Sequence, residues 1–159
     1  MAERVSEFQG VLLVRNLAET EELARRVAPG LRAGDTIALK GELGAGKTTL
    51  ARAILQTLGA EGDVPSPTFT LVQEYETPRL RVLHCDLYRI EDCAEAAELG
   101  LEDALRDGAV LIEWPDRAES LIPQDALWIE MQISGESDRR VAISGPKRWS
   151  FLRSTDGSP

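Results

Sequence analysis

Eight consecutive residues at 41–48, Gly-Glu-Leu-Gly-Ala-Gly-Lys-Thr, have the types and spacing needed to grip a phosphate. The glycines at 41, 44 and 46 let the backbone curl so that several N–H groups point at one anion. Lys47 is placed to reach the β and γ phosphates of a nucleotide, and Thr48 offers a hydroxyl to Mg²⁺. A helix beginning here adds its positive N-terminal end. Gly44, Ala45, Gly46, Lys47, Thr48 and Thr49 are therefore the candidate cofactor-binding residues.

The flanking segments suit this task. Residues 35–40 form a short apolar run that reads as a buried strand. Residues 49–58 place Leu50, Ala51, Ile54, Leu55 and Leu58 at helical spacing, and Gly59 can stop that helix. Before this unit, residues 10–15 suit a first strand. Thr20 is expected to cap a helix running to about Val27, with Leu23, Ala24 and Val27 on its inner face. Residues 60–68 are a loop rich in Gly and Pro. The runs 69–75 and 81–88 flank Thr77-Pro78 and read as a hairpin. Residues 91–107 are expected to be one helix, or two short ones broken near Gly100, and 109–113 a compact strand ending in a carboxylate. Residues 126–133 and 139–144 look like a closing hairpin. The expected fold class is α/β, a three-layer phosphate-loop nucleotide-binding fold with a mixed sheet. A single domain is expected over 1–159, with 154–159 frayed.

A chain of 159 residues with 43% hydrophobic and 28% charged residues has the composition of a soluble globular domain. No apolar run is long enough to span a membrane, and the first residues lack the apolar segment of a signal peptide, so a cytoplasmic location is expected. The net charge of −9 argues against broad, autonomous binding to DNA or RNA. Cys85 and Cys93 suggest neither a disulfide framework nor zinc. Arg139, Arg140, Lys147, Arg148 and Arg153 form a basic cluster, read either as a contact to a partner or nucleotide or as a solvated face.

Hydrolysis needs more than a phosphate loop: a carboxylate for Mg²⁺ or its waters, and a group to orient the attacking water. Glu113 follows a buried strand, and ligands gather at such strand ends, so Thr48 with Glu113 is the candidate metal pair. Asp86 is the second carboxylate. Period two along 83–88 puts His84, Asp86 and Tyr88 on one strand face and Leu83, Cys85 and Leu87 on the other. His84 is the one histidine in the chain; it reads as structural or catalytic, the first being the commoner role. In the loop Pro65-Ser-Pro-Thr-Phe69, Thr68 could contact the γ phosphate or Mg²⁺, and the segment reads equally as a mobile switch or a rigid connector. The guanine selector Asn-Lys-x-Asp is absent, which leaves ATP as the expected nucleotide. From the residues alone three functions remain: an ATPase, a small-molecule kinase, or a nucleotide-dependent binding module. Against the kinase, no arginine-dense lid segment is present beyond Arg89 and Arg117.

In combination, Gly41 to Thr49, Ser66-Pro-Thr-Phe69, His84-x-Asp-x-Tyr-Arg89 and Glu113-Trp114 resemble the bacterial TsaE (YjeE) family, over roughly residues 10–145. The resemblance implies an ATPase needed for N6-threonylcarbamoyladenosine at position 37 of tRNA, cycling the TsaB–TsaD complex and meeting tRNA only through those partners. It implies ATP/ADP and Mg²⁺ as cofactors, with Lys47 and Thr48 on phosphate and metal and Glu113 as a metal ligand. Asp86 is the other site carboxylate, and Thr68 lies within a family motif. It further implies that Glu19-Thr20 approaches the adenine, and that a basic residue after the late hairpin turn, Arg139 or Arg140, lies near the nucleotide.

Overall fold

The structure is a computed structural model that describes residues 4–61 and 71–153. Seven strands make one sheet in the order β1-β7-β6-β2-β5-β4-β3. They are β1 (Phe8–Val14), β2 (Thr36–Gly41), β3 (Val72–Glu76), β4 (Arg81–Asp86), β5 (Gly108–Glu113), β6 (Leu127–Ile133) and β7 (Arg139–Gly145). The central strands β6, β2, β5 and β4 run parallel, while β1, β7 and β3 pair antiparallel at the flanks. The helices are α1 (Leu17–Val27), α2 (Lys47–Leu58), α3 (Cys93–Ala97) and α4 (Leu101–Asp107).

Parallel strands bury both faces, and β5, Gly-Ala-Val-Leu-Ile-Glu, is buried at every position. One core lies under α1, α2 and the segment Lys147–Arg153, around Ile37, Leu39, Leu50, Ile54, Leu111 and Trp149. A second lies under α3, α4 and Pro115–Leu121, around Ala38, Cys85, Val110, Ile112 and Trp128. The result is the expected three-layer α/β fold with a mixed sheet. The two expected hairpins are β3–β4 and β6–β7. The 91–107 region is two short helices, with Gly100 before the second.

Two expectations change. Thr20 does not cap α1. Asn16 does: it is extended (φ −161°) and its Oδ1 accepts from Glu19 N at 2.9 Å. The Glu19 carboxylate reaches back to Arg15 N at 2.7 Å, so donors on both sides of the cap are satisfied. Thr20 is instead buried in the first turn, its hydroxyl 3.4 Å from the Asn16 carbonyl. Tyr88 does not continue β4, which ends at Asp86. Asp86 Oδ1 accepts from Tyr88 N at 2.9 Å, a local turn that carries the tyrosine out to the surface. The frayed end expected at 154–159 lies outside the described residues.

Candidate phosphate-loop site

Strand order and register assemble the site. In the parallel ladder Asp86 of β4 lies directly opposite Glu113 of β5, and Leu39 of β2 flanks Glu113 on its other side. The chain then leaves β2 through the glycine loop and enters α2 at Lys47, so Thr48 falls in the first helical turn above these strand ends. Thr48 Oγ1 donates to Glu113 Oε1 at 2.6 Å. The other carboxylate oxygen, Oε2, is 2.7 Å from His84 Nε2. His84 is 0% and Glu113 2% exposed. His84 Nδ1 has no partner among the described residues. Orphaned buried N–H groups are rarer than orphaned acceptors, so the ring proton belongs on Nε2, donating to Glu113.

The loop depends on glycine at two points. Gly46 precedes α2 with φ 106°, where a side chain would be strained. A Cβ on Gly41 would stand 2.5 Å from the Met131 carbonyl of neighbouring β6. Lys47 lies under the loop: its Nζ donates to the carbonyls of Gly41 at 2.6 Å and Glu42 at 2.9 Å, and sits 4.2 Å from the centre of the Trp114 ring. Burial lowers the Lys47 pKa, opposed by the negative charges of Glu113, Asp86, Asp116 and Glu42.

A cavity of about 340 Å³ opens beside the loop. Gly44, Gly46, Lys47, Thr48 and Thr49 line it, and so do Asp86 and Glu113. Ala45 is fully buried behind the loop. Thr20 is not part of this lining, and Thr68 lies outside the described residues, as does the whole 65–69 segment. The wall also takes Leu43, Tyr88, Arg89 and Trp114, none of them among the candidate site residues from sequence. All four sit inside motifs quoted above, Leu43 at a variable position of the phosphate loop. Trp114 adopts φ 59°, which turns its ring toward Tyr88 with centroids 4.9 Å apart. A second cavity of about 370 Å³, beyond Trp114 and toward Glu130 and Gln132, lacks the Thr48–Glu113 pair.

The basic cluster divides. Arg139 turns to the phosphate loop, Arg140 reaches Gln132, and Arg148 pairs with Asp35. Among the described residues no three His, Cys, Asp or Glu side chains converge as a self-sufficient metal site. The donors beside the loop are a hydroxyl and carboxylate oxygens, few and hard. That set suits Mg²⁺ shared with phosphate oxygens and water, and so fits the cation expected from sequence. No helix among the described residues is long and apolar enough to cross a membrane.

A sheet with parallel central strands, whose first buried strand leads through Gly-x-x-x-x-Gly-Lys-Thr into a helix, defines a phosphate-loop α/β protein. The family model described as threonylcarbamoyl adenosine biosynthesis protein TsaE matches residues 14–141. The chain belongs to the TsaE family. It is 37% identical over 130 residues to a tRNA threonylcarbamoyladenosine biosynthesis protein TsaE from Bacillus subtilis, covering 81% of each chain. The same-named protein of Aquifex aeolicus is 36% identical over 134 residues, 83% of this chain and 93% of that one. The crystal structure of Bacillus subtilis YdiB superposes with a TM-score of 0.76 at 31% identity, covering 91% of both chains.

Proposed function

We propose that this protein binds ATP with Mg²⁺ in the loop cavity and hydrolyses it in the cytoplasm. The hydrolytic cycle resets a TsaB–TsaD complex between rounds of threonylcarbamoyladenosine formation on tRNA. The observation that supports this reading most directly is the 2.6 Å bond between Thr48 Oγ1 and Glu113 Oε1. It joins the loop's hydroxyl to a buried strand-end carboxylate at the position where a phosphate-bound cation needs both.

On this reading the backbone N–H groups of the loop hold the phosphates, and Lys47 exchanges its two loop carbonyls for β and γ phosphate oxygens. Thr48 and Glu113 would hold Mg²⁺, and the bound cation would supply stabilisation of the charge that develops on the phosphates. Asp86, fixed through Oδ1 by Tyr88 N, accepts a hydrogen bond from the attacking water and aligns it. With a net charge of −9, the protein leaves tRNA to its partners.

The test is phosphate release by the pure protein, alone and with purified TsaB and TsaD. Weak release that rises with the partners supports the proposal. Rates indifferent to the partners would detach the chain from that cycle, and phosphate transfer to a small acceptor would make it a kinase. Asp86→Ala and Glu113→Ala should retain much of the ATP binding and lose hydrolysis. Normal turnover in both would refute the assigned roles.

A further inference from the structure

Arg139 sits 94 residues beyond the phosphate loop, yet its guanidinium lies against the loop's backbone. Nε donates to the Ala45 carbonyl at 3.1 Å and Nη2 to the Gly44 carbonyl at 3.4 Å. Nη1 donates to the Asp138 carbonyl at 3.0 Å and the Gly135 carbonyl at 3.5 Å, in the turn between β6 and β7. All three nitrogens thus donate to carbonyls, through four of the five N–H groups. The residue is rigidly based: it opens β7, paired with Ile133 on one side and Val14 on the other.

A peptide unit is planar, and no peptide bond in the described residues is cis. A carbonyl held toward Arg139 therefore sends the N–H of the same unit the opposite way. For the unit joining Ala45 to Gly46, that N–H belongs to Gly46, which lines the cavity. Gly46 has φ 106°, and glycine rotates there with little steric restraint, so the loop sequence does not by itself prevent this unit from flipping. A flipped unit would present a carbonyl to an incoming phosphate. The neighbouring unit differs: its Gly44 carbonyl also faces Arg139, but its Ala45 N donates to the Glu42 carbonyl at 3.0 Å and is used within the loop.

We infer that Arg139 is a positioning residue that holds the phosphate loop in its anion-accepting form by gripping the carbonyls of Gly44 and Ala45, rather than a residue that contacts the nucleotide. The inference rests on the proposed nucleotide binding at this loop.

The test combines calorimetric binding of ADP and ATP with the amide resonance of Gly46 in ligand-free protein, for wild type, Arg139→Ala and Arg139→Lys. One charge-assisted N–H bond to phosphate corresponds to about a tenfold to hundredfold change in affinity. Both nucleotides should therefore weaken by the same factor of about 10–100 in Arg139→Ala. Arg139→Lys, which keeps the charge but cannot fork across two carbonyls, should weaken nearly as much. The Gly46 resonance should move in both variants before any ligand is added. A loss confined to ATP would mean direct contact with the γ phosphate and would overturn the inference. So would wild-type affinity in Arg139→Lys, or an unmoved Gly46 resonance. If Arg139→Ala does not fold, Arg139→Lys decides alone. A wild-type protein that binds neither nucleotide would instead sink the proposed function.

Discussion

Replacing His84 with leucine removes the donor 2.7 Å from Glu113 Oε2 and leaves the buried backbone of β4 in place. The carboxylate is 2% exposed, so water cannot take over that bond without opening the site. Thr48 still serves Oε1. A hydrogen bond to a charged group is worth about 1.5–3 kcal/mol, and stranding a buried acceptor adds its desolvation cost. Leucine recovers part of this through the burial of its own apolar side chain. The expected loss is about 2–4 kcal/mol, a large fraction of the roughly 5–15 kcal/mol that holds a typical domain together. Urea unfolding at neutral pH measures it directly, and for a domain this size the melting temperature should drop by about 2–4 °C per kcal/mol. A double-mutant cycle with Glu113→Gln isolates the pair, and residues in direct contact should couple by about 0.5–3 kcal/mol. A loss below about 0.5 kcal/mol, or strictly additive effects, would show that the 2.7 Å contact holds nothing in place.

Three further outcomes follow from the geometry. The folded protein holds the Lys47 pKa below the 10.5 of the unfolded chain. The unfolded state therefore binds the extra proton, and the cost of the buried charge is fully present below the folded pKa and fades as pH approaches 10.5. Wild type should gain stability relative to Lys47→Met as pH rises through that window; a stability difference that is flat or falls with pH would contradict this. Asn16→Ala should destabilise α1 by about 0.5–2 kcal/mol in chemical denaturation, whereas Thr20→Ser should not act as a cap mutation. Burial pushes the Cys85 thiol up to about 12, while Cys93 is exposed. A thiol reagent at pH 8 should titrate one group in the native protein and two after denaturation; two fast thiols in the native state would place Cys85 wrongly.

What is local is legible in the residues themselves. Strand, glycine loop and helix occupy one continuous stretch, 36–58, and their signals are hydrophobic period, glycine placement and the Lys-Thr pair, all read within a few residues. Glu113 was legible for the same reason, as an acid closing an apolar run, and so was Asp86 on the same strand face as His84. The N-cap lies at Asn16 and not Thr20, in line with asparagine's stronger capping preference and with Glu19 three residues on, a local signal that the helical spacing of Leu23, Ala24 and Val27 does not carry. That Thr48, Glu113 and His84 form one hydrogen-bonded line emerges from the packing alone, because strand order and register place β4, β5 and α2 side by side across separations of 65 and 29 residues. The same holds for Arg139. One-dimensional periodicity shows which face a residue occupies within its own element, but not which element it will face. That depends on how the whole sheet orders its strands to bury two apolar faces at once.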